Sequence, residues 1–342
     1  MQIQADITER EISGSRLVDR LKEIRPWIGK SPSKKLSFDH CNLFIKLESN
    51  NYSGSVKDWA AYYIILKAIE SGQIDEETTV VESSSGNFAV SLAYVCRKIG
   101  VQFIPVIDPN INGDYERVLH MLCKRVVKVR QLDQKGGYLL TRIETVKEIC
   151  SKCENSFWTN QYENENNYKA YFYGLGPEIG DQFDRLDYAF IAVSTCGTIT
   201  GLSMKLKELY PSIKIVAVDV EGSVIFGAPP GPRLVPGIGA GKVPENLRFA
   251  LIDEVMYVSQ ADIINGCHRL MREQLVLGGG STGALYFAIQ KYFSSAKTDP
   301  ASNVLFISPD SGKAYLNTIY NPRWYNKFCK TGVENLSINW RL

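Results

Sequence analysis

The chain has 342 residues, of which 44% are hydrophobic and 22% are charged, and its formal net charge at pH 7 is +2. This length and apolar content allow a large core, with two domains or one large α/β unit. The small net charge indicates neither a nucleic-acid nor a membrane-surface partner, and the apolar runs fall short of the about 20 residues of a membrane span. Because residues 1–10 are polar and lack the apolar segment of a signal peptide, we expect a cytoplasmic protein.

The eight cysteines lie mostly alone within apolar stretches, which is typical of reduced, buried thiols. Cys150 and Cys153 form one C-x-x-C pair, but no second ligand pair follows at the spacing of a zinc site. The three histidines are scattered along the chain. We therefore expect no metal site, and we expect the C-x-x-C pair to be free thiols at the end of a helix.

The first half of the chain alternates between predicted strands and helices. Residues 1–26 are charged and weakly periodic, which indicates a helix or an arm, and a loop and strand follow at 28–36. Beyond them, the hydrophobic pattern predicts strands at 42–48, 78–82, 101–107 and 126–129, and helices at 59–69, 88–99, 114–122 and 138–150.

The alternation returns in the second half, where a Gly- and Pro-rich loop at 222–244 interrupts it. The pattern predicts strands at 188–194, 213–219, 255–258 and 304–307, and helices at 199–210, 261–274 and 284–293. Strands that alternate with helices predict parallel sheets. We thus expect an α/β fold of two open, mostly parallel twisted sheets flanked by helices. The smaller domain is placed at 45–157 and the larger at 1–44 with 158–342, with the active-site cleft between them.

A loop rich in Asn, Ser and Gly, Ser49–Asp58, delivers Lys57 to the start of a predicted helix. A helix N-terminus favours anions, so a cation at this place is electrostatically unusual. A lysine whose amine is used in a Schiff base with a carbonyl compound or pyridoxal phosphate would be less unusual. From this stretch alone, a surface lysine is an equally good interpretation.

Three further loops with small polar residues follow predicted strands, and ligands of parallel sheets bind at that edge. Ser83–Asn87 is suited to a carboxylate, Ser194–Thr198 to a phosphate, and Gly278–Gly283 to a close approach of the backbone to a flat ligand. Each loop alone could be an ordinary helix cap. Together with Lys57 they make the set that a pyridoxal phosphate enzyme acting on an amino acid needs, and the G-x-x-x-x-G-K-[ST] motif of nucleotide-binding proteins does not occur.

The order of these motifs resembles that of the fold-type II pyridoxal phosphate enzymes of the cysteine synthase (O-acetylserine sulfhydrylase) family, which share the fold of the tryptophan synthase β-subunit. The matching stretches are 55–58, 84–87, 194–198, 236–241 and 281–283. The chain departs from the family pattern at several positions: Trp59 stands where an arginine is usual, Cys196 where a glycine is usual, Phe88 where a smaller residue is common, and 33–35 where an apolar stretch is usual. The resemblance implies pyridoxal 5'-phosphate as cofactor, amino-acid substrates and a homodimer.

Within the family, the chain is similar to the N-(2-amino-2-carboxyethyl)-L-glutamate synthases. The stretches that carry this similarity are 136–143, 160–162, 218–227 and 309–316. They imply a β-replacement in which the amine of L-glutamate displaces the phosphate of O-phospho-L-serine, as a step toward 2,3-diaminopropionate for a siderophore or related product. Two alternatives stay open: ordinary cysteine synthesis with sulfide, and a catalytically silent relative that binds a partner.

The resemblance also assigns roles to residues that hold the cofactor. It implies that Lys57 binds pyridoxal phosphate covalently and then acts as general base at the substrate Cα. Asn87 is expected to face the ring oxygen and Ser281 the pyridine nitrogen. A hydroxyl cannot protonate that nitrogen as a carboxylate would, which favours β-elimination over racemisation or transamination. The residues expected to wrap the phosphate are Ser194, Thr195, Cys196, Gly197 and Thr198.

The substrate carboxylates need partners of their own. The candidates for the α-carboxylate of the first substrate are Ser84, Ser85, Asn87 and Gln161. For the carboxylates of a second amino acid we expect Arg142 and Tyr162. The alternative for Arg142 is a solvated charge on a helix face, paired with Glu144 or Glu148.

Overall fold

The computed structural model describes residues 16–134, 136–295 and 299–329. Part of the predicted helix or arm at 1–26 therefore lies outside the described residues; residues 16–22 are helical (α1), and a short 3₁₀ turn follows at Arg25–Trp27. The described chain divides into two compact units. The first takes the residues up to Gly29, Asn51–Ser53 and Lys57–Ala170, and the second takes Lys30–Asn50, Gly54–Val56 and the residues from Tyr171 onward.

The first unit is built on a parallel sheet. After α1 its elements are α2 (Lys57–Glu70), β3 (Thr79–Ser83), α3 (Asn87–Ile99), β4 (Gln102–Ile107), α4 (Gly113–Leu122), β5 (Val127–Lys128), α5 (Leu139–Lys152), β6 (Ser156–Trp158) and α6 (Asn166–Ala170). The four strands lie in the order β5-β4-β3-β6, and every pair is parallel. Helices α3 and α5 pack against this sheet. The sequence pattern did not predict β6 or α6.

The register of this sheet decides which loops meet. Ser83, the last residue of β3, lies opposite Val106 of β4, and Val81 lies opposite Trp158 at the end of β6. The segments that follow the three strands therefore leave the sheet at the same edge.

The second unit is built on a larger sheet. Its strands are β1 (Ser33–Leu36), β2 (Asn42–Leu47), β7 (Tyr188–Ala192), β8 (Lys214–Val220), β9 (Glu254–Val258) and β10 (Asn303–Ser308). They lie in the order β1-β2-β10-β7-β8-β9, and only the β1–β2 pair is antiparallel. Its helices are α7 (Gly176–Gly180), α8 (Gly197–Leu209), α9 (Gln260–Gln274), α10 (Gly280–Ser295) and α11 (Pro322–Cys329). A π-helical turn at Tyr171–Leu175 precedes α7.

These two units confirm the predicted α/β class with mostly parallel sheets. Their limits differ from the predicted domain limits at both ends, because β2 lies wholly in the second unit and residues 158–170 lie in the first. A boundary at residue 45 would cut β2, which pairs along its length with β10. The domain assignment itself stays a prediction. None of the helices among the described residues is long and apolar enough to cross a membrane.

Trp59, one of the departures from the family pattern, is a core residue of the first unit. Its side chain is only 4% exposed, and the Arg25 guanidinium lies 5.0 Å from the centre of its ring. Stacking of this kind stabilises by about 0.5–2 kcal/mol. Trp59 thus holds the segment that follows α1 against α2.

We expect Trp59→Ala to lower the free energy of unfolding by about 3–5 kcal/mol, because it removes a large buried ring and the stacking partner of Arg25. Trp59→Phe, which keeps an aromatic face, should lose less than half of that amount. Denaturant titration of both variants measures the difference. A loss below about 1 kcal/mol in Trp59→Ala would contradict this role.

Candidate active site

Lys57 is the first residue of α2, as predicted, and the residue after it holds the preceding loop in place. Asp58 is buried and accepts hydrogen bonds from the backbone N–H of Ser53 at 2.7 Å and from the Ser53 hydroxyl at 2.5 Å. The same hydroxyl lies 2.9 Å from that of Ser91 in α3. Asp58 therefore ties the loop before Lys57 to α3, which fixes where the lysine emerges.

The loop Ser83–Asn87 leads from β3 into α3. The N-cap of α3 is Gly86, and it makes no side-chain capping bond. Asn87, which could have capped the helix, instead accepts a hydrogen bond from the Tyr115 hydroxyl at 2.5 Å through its Oδ1. A Cβ built on Gly86 would meet no atom within 4 Å. The start of α3 thus offers backbone N–H groups next to open space, which suits an anionic ligand.

Ser85 joins this loop to β4 and α5 through its hydroxyl. The hydroxyl donates to Asp108 Oδ2 at 2.9 Å and accepts from Asp108 N and from Arg142 Nη1, each at 2.9 Å. One donor and two acceptor bonds use the full capacity of a serine hydroxyl. A contact from Ser85 to a ligand would therefore come from its backbone N–H.

Arg142 is not the solvated helix-face charge that was the alternative. Its side chain is 13% exposed, and its Nη1 lies 3.2 Å from Asp108 Oδ2, while Glu148 pairs with Lys152. The Nε of Arg142 is buried and has no hydrogen-bond partner among the described residues. A buried N–H without an acceptor is unfavourable, so this atom is a candidate contact for a ligand.

Glu82 is a residue that sequence reasoning missed. It lies in β3, is 1% exposed, and accepts hydrogen bonds from Thr159 Oγ1 at 2.5 Å, Ser83 N at 2.8 Å and Gln161 N at 3.3 Å. The Gln161 side-chain amide donates to the Ser83 carbonyl at 3.2 Å. Burial raises the pKa of Glu82 to about 7. Its carboxyl thus joins the loop after β3 to the loop after β6; the only sequence signal was an acid in an apolar strand.

Gln161 and Tyr162 lie in the turn that follows β6. The Gln161 carbonyl accepts from Asn167 Nδ2 at 2.6 Å, which fixes this turn to α6. Because the side-chain amide of Gln161 is directed to Ser83, Gln161 shapes the loop as well as bordering it. Tyr162 is half-buried in the same turn.

In the second unit, Ser194–Thr198 link β7 to α8, as predicted. Cys196 is the N-cap, has a φ of 60°, and makes no side-chain capping bond. Left-handed backbone is uncommon for a residue with a Cβ, which explains why glycine suits this position. The Ser194 hydroxyl donates to the Gly239 carbonyl at 3.1 Å, so its proton is already used. The uncapped N–H groups of α8 with the nearby threonine hydroxyls form a neutral donor set that fits a phosphate.

Ser281 lies in the first turn of α10, beside the loop 236–241. A Cβ built on Gly237 would lie 3.9 Å from Ser281 Oγ and 3.5 Å from the Tyr315 hydroxyl. Gly239 in the same loop accepts from Ser194 and donates to the Val193 carbonyl at 2.7 Å. The loop 236–241 therefore borders both Ser194 and Ser281.

The glycines on either side of Ser281 have a packing role that the sequence did not predict. A Cβ on Gly279 would lie 1.9 Å from Asp310 Oδ1, and one on Gly280 would lie 2.4 Å from Val235 Cγ1. A Cβ on Gly283 would lie 2.3 Å from the Cys267 sulfur in α9. These glycines are thus required by their protein neighbours, and the predicted close approach of this turn to a flat ligand stays a prediction.

Each unit thus gathers part of the predicted set. In the first unit, Ser84, Ser85, Asn87, Arg142 and Gln161 border one edge of the sheet, and Lys57 begins α2. In the second unit, Ser194–Thr198 and Ser281 flank the glycine loop 236–241. No cluster of three or more His, Cys, Asp or Glu side chains suited to a metal ion occurs among the described residues. The donors present, an amine, hydroxyls, an amide and uncapped helix starts, fit a phosphorylated aldehyde cofactor.

The buried Glu82 predicts a pH dependence of stability. Its folded pKa of about 7 lies above the ordinary 4.5, so the folded chain holds this proton more tightly than the unfolded chain does. The stabilisation is complete below pH 4.5 and is lost as the pH rises to 7, by about 3 kcal/mol.

We expect Glu82→Gln, which cannot ionise, to lose this part of the pH slope, as measured by denaturant titration between pH 4.5 and pH 7. Glu77→Gln, at an exposed position ahead of β3, is the control and should follow the wild type. Equal slopes in Glu82→Gln and wild type would show that Glu82 does not titrate in this range.

Comparisons with known proteins agree with this geometry. The family model for pyridoxal-phosphate dependent enzymes matches residues 24–310. A curated relative, N-(2-amino-2-carboxyethyl)-L-glutamate synthase of Ralstonia nicotianae, is 40% identical over 308 residues, which cover 89% of this chain and 90% of that protein.

Solved structures are also similar over most of their length. The O-acetylserine dependent cystathionine beta-synthase from Helicobacter pylori superposes with a TM-score of 0.80 at 29% identity and covers 87% of this chain and 98% of its own. O-ureido-L-serine synthase gives a TM-score of 0.80 at 26% identity, covering 87% and 95%. These findings confirm the predicted family and cofactor: the chain belongs to the pyridoxal-phosphate dependent enzymes and has a cysteine synthase-like fold.

Proposed function

We propose that this enzyme joins O-phospho-L-serine to L-glutamate, giving N-(2-amino-2-carboxyethyl)-L-glutamate and inorganic phosphate. In this β-replacement the Cβ–O bond of phosphoserine breaks and a bond from Cβ to the glutamate nitrogen forms. The similarity to the Ralstonia synthase supports the reaction. The observation that carries the choice of a dicarboxylic nucleophile is the buried guanidinium of Arg142 with its unpartnered Nε.

The cofactor, when bound, withdraws electrons from the substrate Cα and so makes loss of the α-proton and of the β-substituent feasible. Lys57 holds the cofactor, and its Nζ takes the proton from Cα. Asn87 would donate from its side-chain NH₂ to the ring oxygen of the cofactor, and the Ser281 hydroxyl would face the pyridine nitrogen. Backbone N–H groups of Ser194–Thr198, together with the Thr195 and Thr198 hydroxyls, bind the phosphate.

The first substrate's α-carboxylate is proposed to lie at the start of α3. Ser84 supplies its hydroxyl, Ser85 its backbone N–H, and Asn87 lies at the first turn of the helix. Gln161 and Glu82 hold the two loops that border this position. Because an uncapped helix start has unused N–H groups, a carboxylate there is favoured by about 0.3–1 kcal/mol from the dipole alone.

The second substrate's carboxylates are assigned to Arg142 and Tyr162. The Nη1 of Arg142 is already engaged with Asp108 and Ser85, so the edge of the guanidinium that includes Nε is the one left for a carboxylate. One edge of a guanidinium can donate two parallel N–H hydrogen bonds to a carboxylate, and this bidentate contact is strong and fixes the orientation of the carboxylate. Sulfide has no carboxylate and would leave this edge unused.

The wider setting is part of the proposal. The product would be a precursor of 2,3-diaminopropionate for a siderophore or related natural product. We also propose a cytoplasmic homodimer, which light scattering of the purified protein would test.

We expect purified enzyme supplied with O-phospho-L-serine and L-glutamate to release phosphate and form the coupled amino acid, as detected by mass measurement of the product. Parallel reactions with O-acetyl-L-serine or sulfide separate cysteine synthesis from this activity. Lys57→Ala should abolish turnover without unfolding the protein, as judged by circular dichroism. Cysteine as the sole product, or activity retained in Lys57→Ala, would overturn the proposal.

We expect Arg142→Lys to raise the KM for L-glutamate about tenfold or more, because lysine keeps the charge but has no bidentate edge. A single round of phosphate release from O-phospho-L-serine without glutamate should persist. Lys147→Gln, an exposed position of α5, is the matched control. An unchanged KM for glutamate together with impaired phosphate release would assign Arg142 to the first substrate instead.

A further inference from the structure

We infer that Tyr115 is a positioning residue for the cofactor, because its hydroxyl fixes the orientation of the Asn87 amide. The inference rests on the proposed contact of Asn87 with the ring oxygen. Tyr115 lies in α4, 28 positions from Asn87 along the chain, and belongs to none of the family motifs.

The phenol is held in place by the loop that precedes α4. Asn112 is the N-cap of α4, and its side-chain oxygen accepts from Asp114 N at 2.8 Å and from Tyr115 N at 3.4 Å. Upstream, Asp108 accepts from Asn110 N at 2.8 Å and also pairs with Arg142. The backbone that leads to Tyr115 is therefore anchored at two places, Asp108 and Asn112.

The Tyr115 hydroxyl donates to Asn87 Oδ1 at 2.5 Å, and this contact favours the orientation in which the amide oxygen faces α4. The amide has an acceptor oxygen on one branch and a donor NH₂ on the other, and the two branches have nearly the same shape. A hydroxyl that donates to the oxygen leaves the NH₂ as the group presented on the opposite side.

The orientation of the Asn87 amide matters for its contact with the cofactor's ring oxygen. A negatively charged ring oxygen is an acceptor, so it matches the NH₂ of Asn87 and is repelled by the carbonyl oxygen. Loss of the Tyr115 bond removes a contact that favours the matched orientation of the amide over the mismatched one. Loss of one such hydrogen bond corresponds to about a two- to tenfold weaker hold on the cofactor.

The usual alternative for an asparagine at a helix start does not apply. Asparagine often caps a helix with its side-chain oxygen. Here the N-cap of α3 is Gly86 without a side-chain capping bond, and Asn87 Oδ1 is directed to another helix. A phenol that spans from α4 to this oxygen is thus more specific than a cap, because it sets the direction of the amide.

The experiment compares holoenzymes of wild type, Tyr115→Phe, Asn87→Ala and the double variant. Two readouts are recorded: the rate at which the cofactor dissociates after dilution, and the near-UV and visible absorption bands of the bound cofactor. Tyr94→Phe is the matched control, because it removes a hydroxyl from α3 itself. Thermal unfolding of each variant shows whether its fold is intact.

We expect Tyr115→Phe to accelerate cofactor release about two- to tenfold and to change the ratio of the absorption bands, while Tyr94→Phe matches the wild type. Adding Tyr115→Phe to Asn87→Ala should have no further effect, because the phenol acts through the amide. If the two changes add independently, or if only Asn87→Ala has an effect, the inference about Tyr115 is wrong and the role of Asn87 stands. If Asn87→Ala itself leaves both readouts unchanged, the proposed role of Asn87 fails instead.

Discussion

The register of β3 between β4 and β6 is the constraint from which the first unit's polar edge follows. Because Ser83 lies opposite Val106 and Val81 opposite Trp158, the segments after all three strands begin at one level of the sheet. A shift of one residue would move Glu82 to the opposite face and separate Ser85 from Asp108. The hydrogen bonds of Glu82 and those between Ser85 and Asp108 thus follow from the pairing of the strands.

In the second unit, glycines rather than strand register position the polar residues. Gly239 approaches Val220 so closely that a Cβ would lie 2.6 Å from Cγ1, and this approach lets the loop 236–241 reach Ser194. Gly283 permits the equally close packing of α10 on α9, which sets the position of Ser281. The placement of Ser194 and Ser281 thus depends on neighbouring positions that have no side chain.

Much of the fold and of the candidate site could be predicted from the sequence. Hydrophobic periodicity predicted most strands and helices, because each element has one clear buried pattern. The motifs around Lys57, Asn87, Ser194 and Ser281 predicted the family and cofactor. Short elements such as β6 were not predicted, because three residues are too few to show a hydrophobic periodicity.

The hydrogen-bond partners of the polar site residues could not be predicted from the sequence for another reason. Tyr115 and Asp108 reach Asn87 and Ser85 from other elements, and no local rule links residues that are far apart in the chain. Glu82 escaped because an acid in an apolar strand ordinarily argues against burial. The packing role of the glycines near Ser281 was not predicted, since a sequence shows that a side chain is missing but not what occupies its place.

The fully used hydroxyl of Ser85 has a consequence for how this site can change over time. Replacing Ser85 alone would remove one hydrogen bond each from the Asp108 carboxylate and Arg142 Nη1, and replacing either of those would leave the hydroxyl short of a partner. The side chains at positions 85, 108 and 142 therefore depend on one another for their hydrogen bonds. A change at any one of these positions should therefore be tolerated best when the other two change with it.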